Sequence, residues 1–244
     1  MITDYRRPLT LEDALTLASR HDVVLIGGGT SVAASRDPSP VIAVDLQALP
    51  LATIEATDGA LHVGATTRLR DFMDSPRVPA ALGDLARREV PSVLRNAATI
   101  GGTIGTADPE SQLLTGLLAF GATVIVARVE SRTEHPLDDI LEDPGLLTGA
   151  IITGVRIPLG GRAAAERTGR TPMDQPIVLA VAHHSEDGVL RLGMSGVSDH
   201  PVIVDPDRIG DLDPPSDFRG SSSYRSQIAS VLAGRAVRSV GGDT

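Results

Sequence analysis

Two glycine clusters are the features of this sequence that point most directly to chemistry. The first, residues 27–31, reads Gly-Gly-Gly-Thr-Ser after an apolar run, and the second, residues 99–103, reads Thr-Ile-Gly-Gly-Thr. Glycine has no Cβ, so backbone N–H groups at such clusters can approach a ligand closely. Rows of these N–H groups form concavities that hold anions. Two such clusters, each flanked by hydroxyl side chains, predict a cofactor with a pyrophosphate in its middle.

The first cluster does not fit the fingerprint of a nicotinamide dinucleotide site. It reads GGG instead of GxGxxG, and no acidic residue follows at the spacing that a βαβ unit requires. NAD is therefore not expected as the principal bound cofactor. A tight turn between two elements is the alternative explanation for this cluster.

The second cluster precedes a predicted helix start. Asp108 is a favourable N-cap and Pro109 a favourable first residue, so a helix is expected over residues 110–120. A helix N-terminus carries about half a positive charge and can hold an anion. A glycine-rich packing turn is the alternative here.

The composition excludes several kinds of chemistry. All 22 basic residues are Arg, and Cys is absent. Without Lys the chain can form no Schiff base and has no phosphate-loop lysine. Without Cys it cannot ligate an iron–sulfur cluster through thiolates. The formal net charge of −9, with no basic cluster, argues against a nucleic-acid partner.

No catalytic side chain or metal site is predicted. The six His residues lack paired-ligand spacing, and His183 and His184 are neighbours on a predicted strand, where they point to opposite faces. No G-x-S-x-G motif is present to suggest a serine nucleophile.

The sequence also predicts a cytoplasmic protein without a membrane span. Residues 1–8 lack the apolar core of a signal peptide. The longest apolar stretch, residues 113–127, is interrupted by Gly and Thr and is shorter than a membrane span.

Apolar periodicity predicts the elements that position the glycine clusters. Thr10 opens a short helix through a capping box, and a second helix is expected through Phe72 with Thr66 or Thr67 as its cap. An amphipathic helix is predicted over residues 80–90. Strands are predicted at residues 23–26, 41–46, 61–64 and 123–127.

The pattern changes after residue 150. A strand at 151–157 is expected to end at Pro158, followed by a linker rich in Gly, Arg and Ala at 159–172. Residues 177–183 and 189–194 predict a hairpin, residues 209–223 an irregular segment, and residues 224–237 a closing helix. The predicted class is α+β, with two domains divided near residue 160.

Several motifs together resemble the FAD-binding medium subunit of molybdenum hydroxylases, of the carbon monoxide dehydrogenase and xanthine dehydrogenase type. They occur in the family's order and cover nearly the whole chain. The motifs are VLIGGGTS at 24–31, VDL at 44–46, VGATT at 63–67, RNAATIGG at 95–102, ADP at 107–109, VRIP at 155–158, Arg170 through Asp174, and DFRGSSSYR at 217–225.

The resemblance implies a two-lobed FAD-binding domain of the vanillyl-alcohol-oxidase (PCMH) type at residues 1–160. A small α+β domain, like the C-terminal domain of carbon monoxide dehydrogenase flavoproteins, is expected at residues 161–244. In such subunits FAD takes electrons from an iron–sulfur small subunit and passes them to an acceptor, while the molybdopterin sits on a large subunit. Both subunits are therefore expected as partners, and the absence of Cys fits this division of labour.

The resemblance also implies which residues contact FAD. Most belong to the two glycine loops, which hold the pyrophosphate in this family, and the others follow further along the chain. The expected contacts are Ile26, Gly27, Gly28, Gly29, Thr30, Ser31, Val32, Thr99, Gly101, Gly102, Thr103, Thr106, Gln112 and Ile152.

The chain departs from the family at a few of these positions. Thr103 stands where the family has Asn, and Gln112 stands where it has an acid that holds the adenosine ribose. The family's Gly before Thr99 is Ala98, and its Lys near the start of the C-terminal domain falls at about Glu166 or Arg167. Loss of a carboxylate–hydroxyl pair costs about 1.5–3 kcal/mol, or roughly ten- to a hundredfold in affinity.

Two functional hypotheses follow. The leading one is an FAD-binding electron-transfer subunit of a molybdenum hydroxylase-type oxidoreductase. The alternative is a non-catalytic paralogue that keeps the fold and the partner surface but binds FAD weakly or not at all. A stand-alone FAD reductase acting on a sugar nucleotide fits the C-terminal half badly.

Overall fold

The N-terminal part of the chain forms a small parallel sheet. The computed structural model describes residues 1–34, 39–169, 171 and 174–241. Strands β1 (Ile2–Arg6), β2 (Val23–Ile26) and β3 (Val41–Asp45) pair in the order β1-β3-β2. Helix α1 (Leu11–Ala18) connects β1 to β2, and the short helix α2 (Thr30–Ala34) follows the first glycine cluster.

The predicted N-cap of α1 is confirmed, but the Asp13 carboxylate accepts a hydrogen bond from the Thr10 hydroxyl, at 2.8 Å, in place of the reciprocal bond of a full capping box. The Thr10 hydroxyl accepts a hydrogen bond from the Asp13 backbone N–H at 3.2 Å, which satisfies one of the free donors of the first turn. The buried face of the helix carries Ala14, Leu15 and Ala18, the spacing expected for one side of a helix.

The central part of the chain forms an antiparallel five-stranded sheet. Its order is β4-β5-β8-β6-β7. The strands are β4 (Ile54–Thr57), β5 (Ala60–Gly64), β6 (Thr123–Ala127), β7 (Arg132–Pro136) and β8 (Ile151–Pro158).

Five helices and one short 3₁₀ helix lie between these strands in the sequence. Their apolar side chains form a large core with the inner face of the sheet, with Phe72, Leu85 and Leu117 among the buried residues. The elements are α3 (Leu69–Asp74), α4 (Ala80–Glu89), α5 (Ile100–Thr106), α6 (Gln112–Ala119), α7 (Leu137–Glu142) and the 3₁₀ helix Pro144–Leu147.

The C-terminal part forms a third sheet, of four antiparallel strands covered by a long helix. The strand order is β12-β11-β10-β9, and α8 packs on β9 and β10. The elements are β9 (Arg162–Thr168), β10 (Val178–His184), β11 (Leu190–Ser195), β12 (Val202–Ile203), the 3₁₀ helix Pro206–Asp211 and α8 (Ser222–Gly241).

The second and third sheets are joined by a shared core. Leu179 and Val181 of β10 belong to the same apolar cluster as the residues under the five-stranded sheet. Helix α6 is buried along its whole length and packs against α4 on one side and β10 and β11 on the other. The predicted α+β class is confirmed by this arrangement.

Three sequence expectations are wrong. The helix expected from Asp108 begins at Gln112 with Ser111 as its N-cap, because the Asp108 carboxylate instead accepts the Glu110 N–H in a tight turn. The expected linker at 159–172 contains β9, an edge strand whose Ala-rich sequence lacks a strong alternation. Helix α3 is preceded by Arg68 and has no side-chain cap, since the Thr67 hydroxyl donates to the Thr53 carbonyl instead.

Within the described residues, no helix is both long enough and apolar enough to cross a membrane.

Candidate functional site

A cavity of about 850 Å³ lies where the first sheet meets the five-stranded sheet and helix α5. Every predicted FAD contact except Gln112 lines it. The structure therefore brings together residues that are far apart in the sequence. They are Ile26, Gly27, Gly28, Gly29, Thr30, Ser31, Val32, Thr99, Gly101, Gly102, Thr103, Thr106 and Ile152.

Glycines of both clusters pack tightly against a neighbouring segment of the chain. A Cβ on Gly27 would lie 2.5 Å from the Thr99 hydroxyl oxygen, and a Cβ on Gly28 would lie 1.7 Å from the Ala97 carbonyl oxygen. A Cβ on Gly101 would lie 2.7 Å from the Cβ of Ala65. Glycine is required at these positions because a Cβ would overlap side-chain or backbone atoms of a neighbouring segment.

The first cluster carries unbonded backbone donors. It runs from the end of β2 into α2, and Gly29 adopts φ of +75°, which glycine accepts without strain. In the part of the chain that the structure describes, the N–H groups of Gly28, Gly29 and Thr30 donate to no protein acceptor. A row of free N–H groups at a cavity wall is suited to an anion.

The second cluster differs, because its N–H groups are already bonded within the protein. It forms the first turn of α5, where Ile100 N donates to Thr67 O, Gly101 N to Ala65 O, and Gly102 N to the Thr99 hydroxyl. The cluster therefore contributes close packing and hydroxyl groups to the cavity, and the free N–H groups belong to the first cluster.

A contact between two hydroxyls joins the first glycine loop to the C-terminal end of α5. The side-chain oxygens of Ser31 and Thr106 are 3.1 Å apart, and the Thr106 hydroxyl also donates to the Gly102 carbonyl at 2.8 Å. The first glycine loop thus runs alongside α5, from Gly27 beside Thr99 to Ser31 beside Thr106.

Thr66 lines the cavity and was not among the predicted contacts. Thr66 is 7% exposed, and its hydroxyl oxygen has no hydrogen-bond partner among the described residues. A buried hydroxyl without a partner is costly, so an orphaned group in a cavity wall indicates a polar ligand. The free N–H groups, the orphaned hydroxyl and the cavity size together fit a large ligand with an anionic centre, such as a dinucleotide.

The charged side chains that line the cavity are acidic. They are Glu89 and Asp108, and no Arg side chain is among the described lining residues. The Glu89 carboxylate accepts hydrogen bonds from the Ser111 hydroxyl at 2.6 Å and the Leu113 N–H at 2.8 Å. Burial raises the pKa of Glu89, while these hydrogen bonds oppose that rise. Burial also raises the pKa of Asp108, and the charge of Arg219 opposes it.

Gln112 is the predicted contact that the structure does not bring to the cavity. It is 1% exposed, and its amide nitrogen donates to the Arg88 carbonyl at 3.0 Å and the Gln175 side chain at 3.3 Å. Its amide oxygen accepts from Arg167 at 3.3 Å. Gln112 therefore connects α4, α6 and the C-terminal part of the chain.

The C-terminal motif at residues 217–225 has a structural role. The buried Arg225 guanidinium donates to the carbonyls of Ile177 and Gly196 and to the Asp217 carboxylate, at 2.7, 2.9 and 2.7 Å. Arg219 pairs with Glu110, in the loop that leads from α5 to α6. Of the remaining motif at 170–174, Arg170, Pro172 and Met173 lie outside the described residues.

Comparison with known proteins places this chain in a family. Residues 1–160 match the family model described as the FAD binding domain in molybdopterin dehydrogenase. An uncharacterized protein of Escherichia coli K12, YgfM, is 30% identical, with 95% of this chain and 94% of that protein covered. The glyceraldehyde dehydrogenase medium chain of Sulfolobus acidocaldarius is 26% identical, with 97% of each covered.

Solved structures show the same fold. A chain of the carbon monoxide dehydrogenase from Hydrogenophaga pseudoflava superposes with a TM-score of 0.89 at 21% identity, covering 98% of this chain and 96% of that one. The family match and the structural match together define a flavin-binding domain of the vanillyl-alcohol-oxidase (PCMH) type, as the sequence predicts. The chain belongs to the FAD-binding family of the molybdopterin dehydrogenases, and its cofactor is FAD.

Proposed function

We propose that this chain is the electron-transfer subunit of a molybdenum hydroxylase-type oxidoreductase. It receives electrons from iron–sulfur clusters on a partner subunit and passes them through FAD to an acceptor. The observation that carries the proposal is the cavity in which both glycine clusters meet, with free N–H groups on the first. The absence of Cys supports placing the iron–sulfur clusters on another chain.

The described residues suggest how the chain would hold FAD. The N–H groups of Gly28, Gly29 and Thr30 would neutralise the pyrophosphate in place of basic side chains. Apolar side chains such as Ile26 and Ile152 would pack against the ring systems, and the Thr66 hydroxyl would gain its missing partner. When bound, FAD supplies the redox chemistry, and the protein supplies position and electrostatics.

The partners proposed are an iron–sulfur small subunit and a molybdopterin large subunit. The medium chain of glyceraldehyde dehydrogenase and the nicotine 6-hydroxylase medium subunit of Paenarthrobacter nicotinovorans are named as parts of larger enzymes. This chain matches both over at least 97% of its length, which supports the same place in a complex.

We also propose that the chain divides into an FAD-binding domain at 1–160 and a C-terminal domain at 161–244. The five-stranded sheet ends with β8 at Pro158, and the third sheet begins with β9 at Arg162. The boundary therefore falls in the short connection between two sheets.

Binding of FAD is the first test. The purified chain, or its apo form titrated with FAD, is expected to show a flavin absorption spectrum and to quench flavin fluorescence on binding. Acid denaturation should release all the flavin, because the chain has no Cys for a thioether link and no His in either glycine loop. A protein that takes up no FAD would favour the non-catalytic paralogue.

A cavity-filling variant tests the location of the site. A Cβ on Gly105 would lie no closer than 4.0 Å to its nearest neighbour, Ile152 Cδ1, so a side chain there extends into the cavity without a clash. Gly105→Leu is expected to weaken FAD binding tenfold or more, roughly 1.4 kcal/mol, with the fold retained. Gly105→Ala is the matched control and should bind as the wild type does. Unchanged affinity in Gly105→Leu would place FAD elsewhere.

A further inference from the structure

Glu89 is a buried acid in the wall of the cofactor cavity that neither the glycine motifs nor the family resemblance singles out. It ends helix α4, is 6% exposed and lines the cavity. Burying a carboxylate is costly unless hydrogen bonds satisfy it. An acid retained at this depth therefore calls for an explanation from its contacts.

Its contacts account for only part of its hydrogen-bonding capacity. One carboxylate oxygen accepts from the Ser111 hydroxyl and the other from the Leu113 N–H. An ionised carboxylate has about four acceptor positions, so each oxygen can accept a further hydrogen bond. These bonds and the nearby Gln112 N–H hold the side chain at the start of α6, and at least one of the four acceptor positions is left for a ligand in the cavity.

The charges of the cavity determine which part of FAD this acceptor suits. A carboxylate repels phosphate, and the free N–H groups that suit phosphate lie in the first glycine loop beside α5. Glu89 contacts the start of α6, which follows α5 in the chain. Glu89 is therefore suited to accept a hydrogen bond from an uncharged donor, such as a hydroxyl or a ring N–H, which the carboxylate does not repel.

The neighbouring polar residue does not compete for this role. Gln112 lies between Ser111 and Leu113 in the sequence, but its amide is bonded to Arg88, Gln175 and Arg167 and does not line the cavity. The acidic group at the start of α6 is thus the carboxylate of Glu89, which belongs to α4.

We propose that Glu89 is a further cofactor contact, whose carboxylate accepts a hydrogen bond from a hydroxyl or ring N–H of FAD. The proposal rests on the proposed function, since it assigns one residue within that binding site. The proposal also predicts that Glu89 favours a ligand with a hydrogen-bond donor at the contacting atom over a ligand with an acceptor there.

Fluorescence titration with FAD tests the proposal in three proteins: the wild type, Glu89→Gln and Ser111→Ala. Glu89→Gln removes the charge at constant size and is expected to weaken FAD about tenfold, as for loss of a charge-assisted hydrogen bond. Ser111→Ala removes the hydroxyl that donates to Glu89 and caps the Leu114 N–H, but keeps the carboxylate and its bond to the Leu113 N–H, so its affinity should stay within about threefold. Melting temperatures without FAD show whether each variant is folded.

The outcomes separate this inference from the proposed function. No FAD binding by the wild type would overturn the proposed function itself. Wild-type binding with equal losses in both variants would overturn the inference, because Glu89 would then act only through α6. Unchanged affinity in Glu89→Gln would overturn it too. If Glu89→Gln does not fold, Glu89→Asp keeps the charge but withdraws it by one methylene, and unchanged affinity there would likewise contradict a direct contact.

Discussion

Gly28 and Gly105 both line the cavity between the first sheet and helix α5, but a side chain would meet different surroundings at each. A Cβ on Gly28 would overlap the Ala97 carbonyl oxygen at 1.7 Å, whereas a Cβ on Gly105 would make only an ordinary contact with Ile152 at 4.0 Å. The first glycine is therefore required for folding of the loops, and the second is required only to leave space in the cavity.

Thermal unfolding of two alanine variants should separate these roles. Gly28→Ala is expected to lose about 1–3 kcal/mol through overpacking, which lowers the melting temperature by several degrees. Gly105→Ala lies within α5 and should gain about 0.5–1 kcal/mol, since alanine favours a helix over glycine. Equal melting temperatures for both variants would contradict the close approach of Gly28 to Ala97.

At this scale the sequence predicted most of the cavity. Glycine clusters are local signals, so Gly27–Thr30 and Gly101–Gly102 could be found from spacing and residue type. Thr66 and Glu89 could not be found in this way, because a single Thr or Glu has no distinctive pattern and reaches the cavity only through the fold. Gln112 does not line the cavity, because the direction of its side chain depends on where α6 begins.

At the scale of elements, one buried guanidinium adds a polar attachment to the apolar packing of α8 on the third sheet. Arg225 lies in the first turn of α8, is 2% exposed, and bonds to carbonyls at the start of β10 and the end of β11. It also pairs with Asp217, whose pKa is lowered chiefly by this hydrogen bond. The guanidinium therefore fixes the helix, both strands and the preceding loop at one point.

Arg225→Met is expected to lose about 3–5 kcal/mol, because it leaves buried carbonyls without donors and Asp217 without its partner. The melting temperature should fall by about 6 °C or more for a chain of this size. Arg235→Met, on the exposed side of the same helix, is the matched control and should change stability by less than about 0.5 kcal/mol. A similar loss of stability in both variants would contradict a specific contribution of the Arg225 guanidinium.

The elements were predicted well where periodicity is strong. The apolar runs of β2, β6 and β10 and the spacing in α4 and α8 carry clear signals. The edge strands β1, β4, β7 and β12 and helix α7 were not predicted, because they are short and partly exposed. Helix α5 was also missed, since three of its seven residues are glycine and only its packing and Thr99 cap hold it in place.

At the scale of the whole molecule, the proposed function requires other chains. Co-expression with an iron–sulfur small subunit and a molybdopterin large subunit from neighbouring reading frames is expected to yield a complex that contains all three chains. In that complex, substrate should reduce FAD, as followed by loss of flavin absorbance. The isolated chain is the control and should show no reduction by the same substrate. Full turnover by the isolated chain would contradict the proposed electron route.

The complete burial of α6 limits where the chain can be cut and rejoined with a relative, in a designed chimera or by natural recombination. The helix packs on α4 from one half of the chain and on β10 and β11 from the other, and a Cβ on Gly193 would lie 2.5 Å from the Thr115 carbonyl. A chimera that takes its C-terminal half from a relative would pair a foreign sheet with the native helix. The unit that recombination can exchange intact therefore includes α6 together with the strands it supports, and does not begin at residue 161.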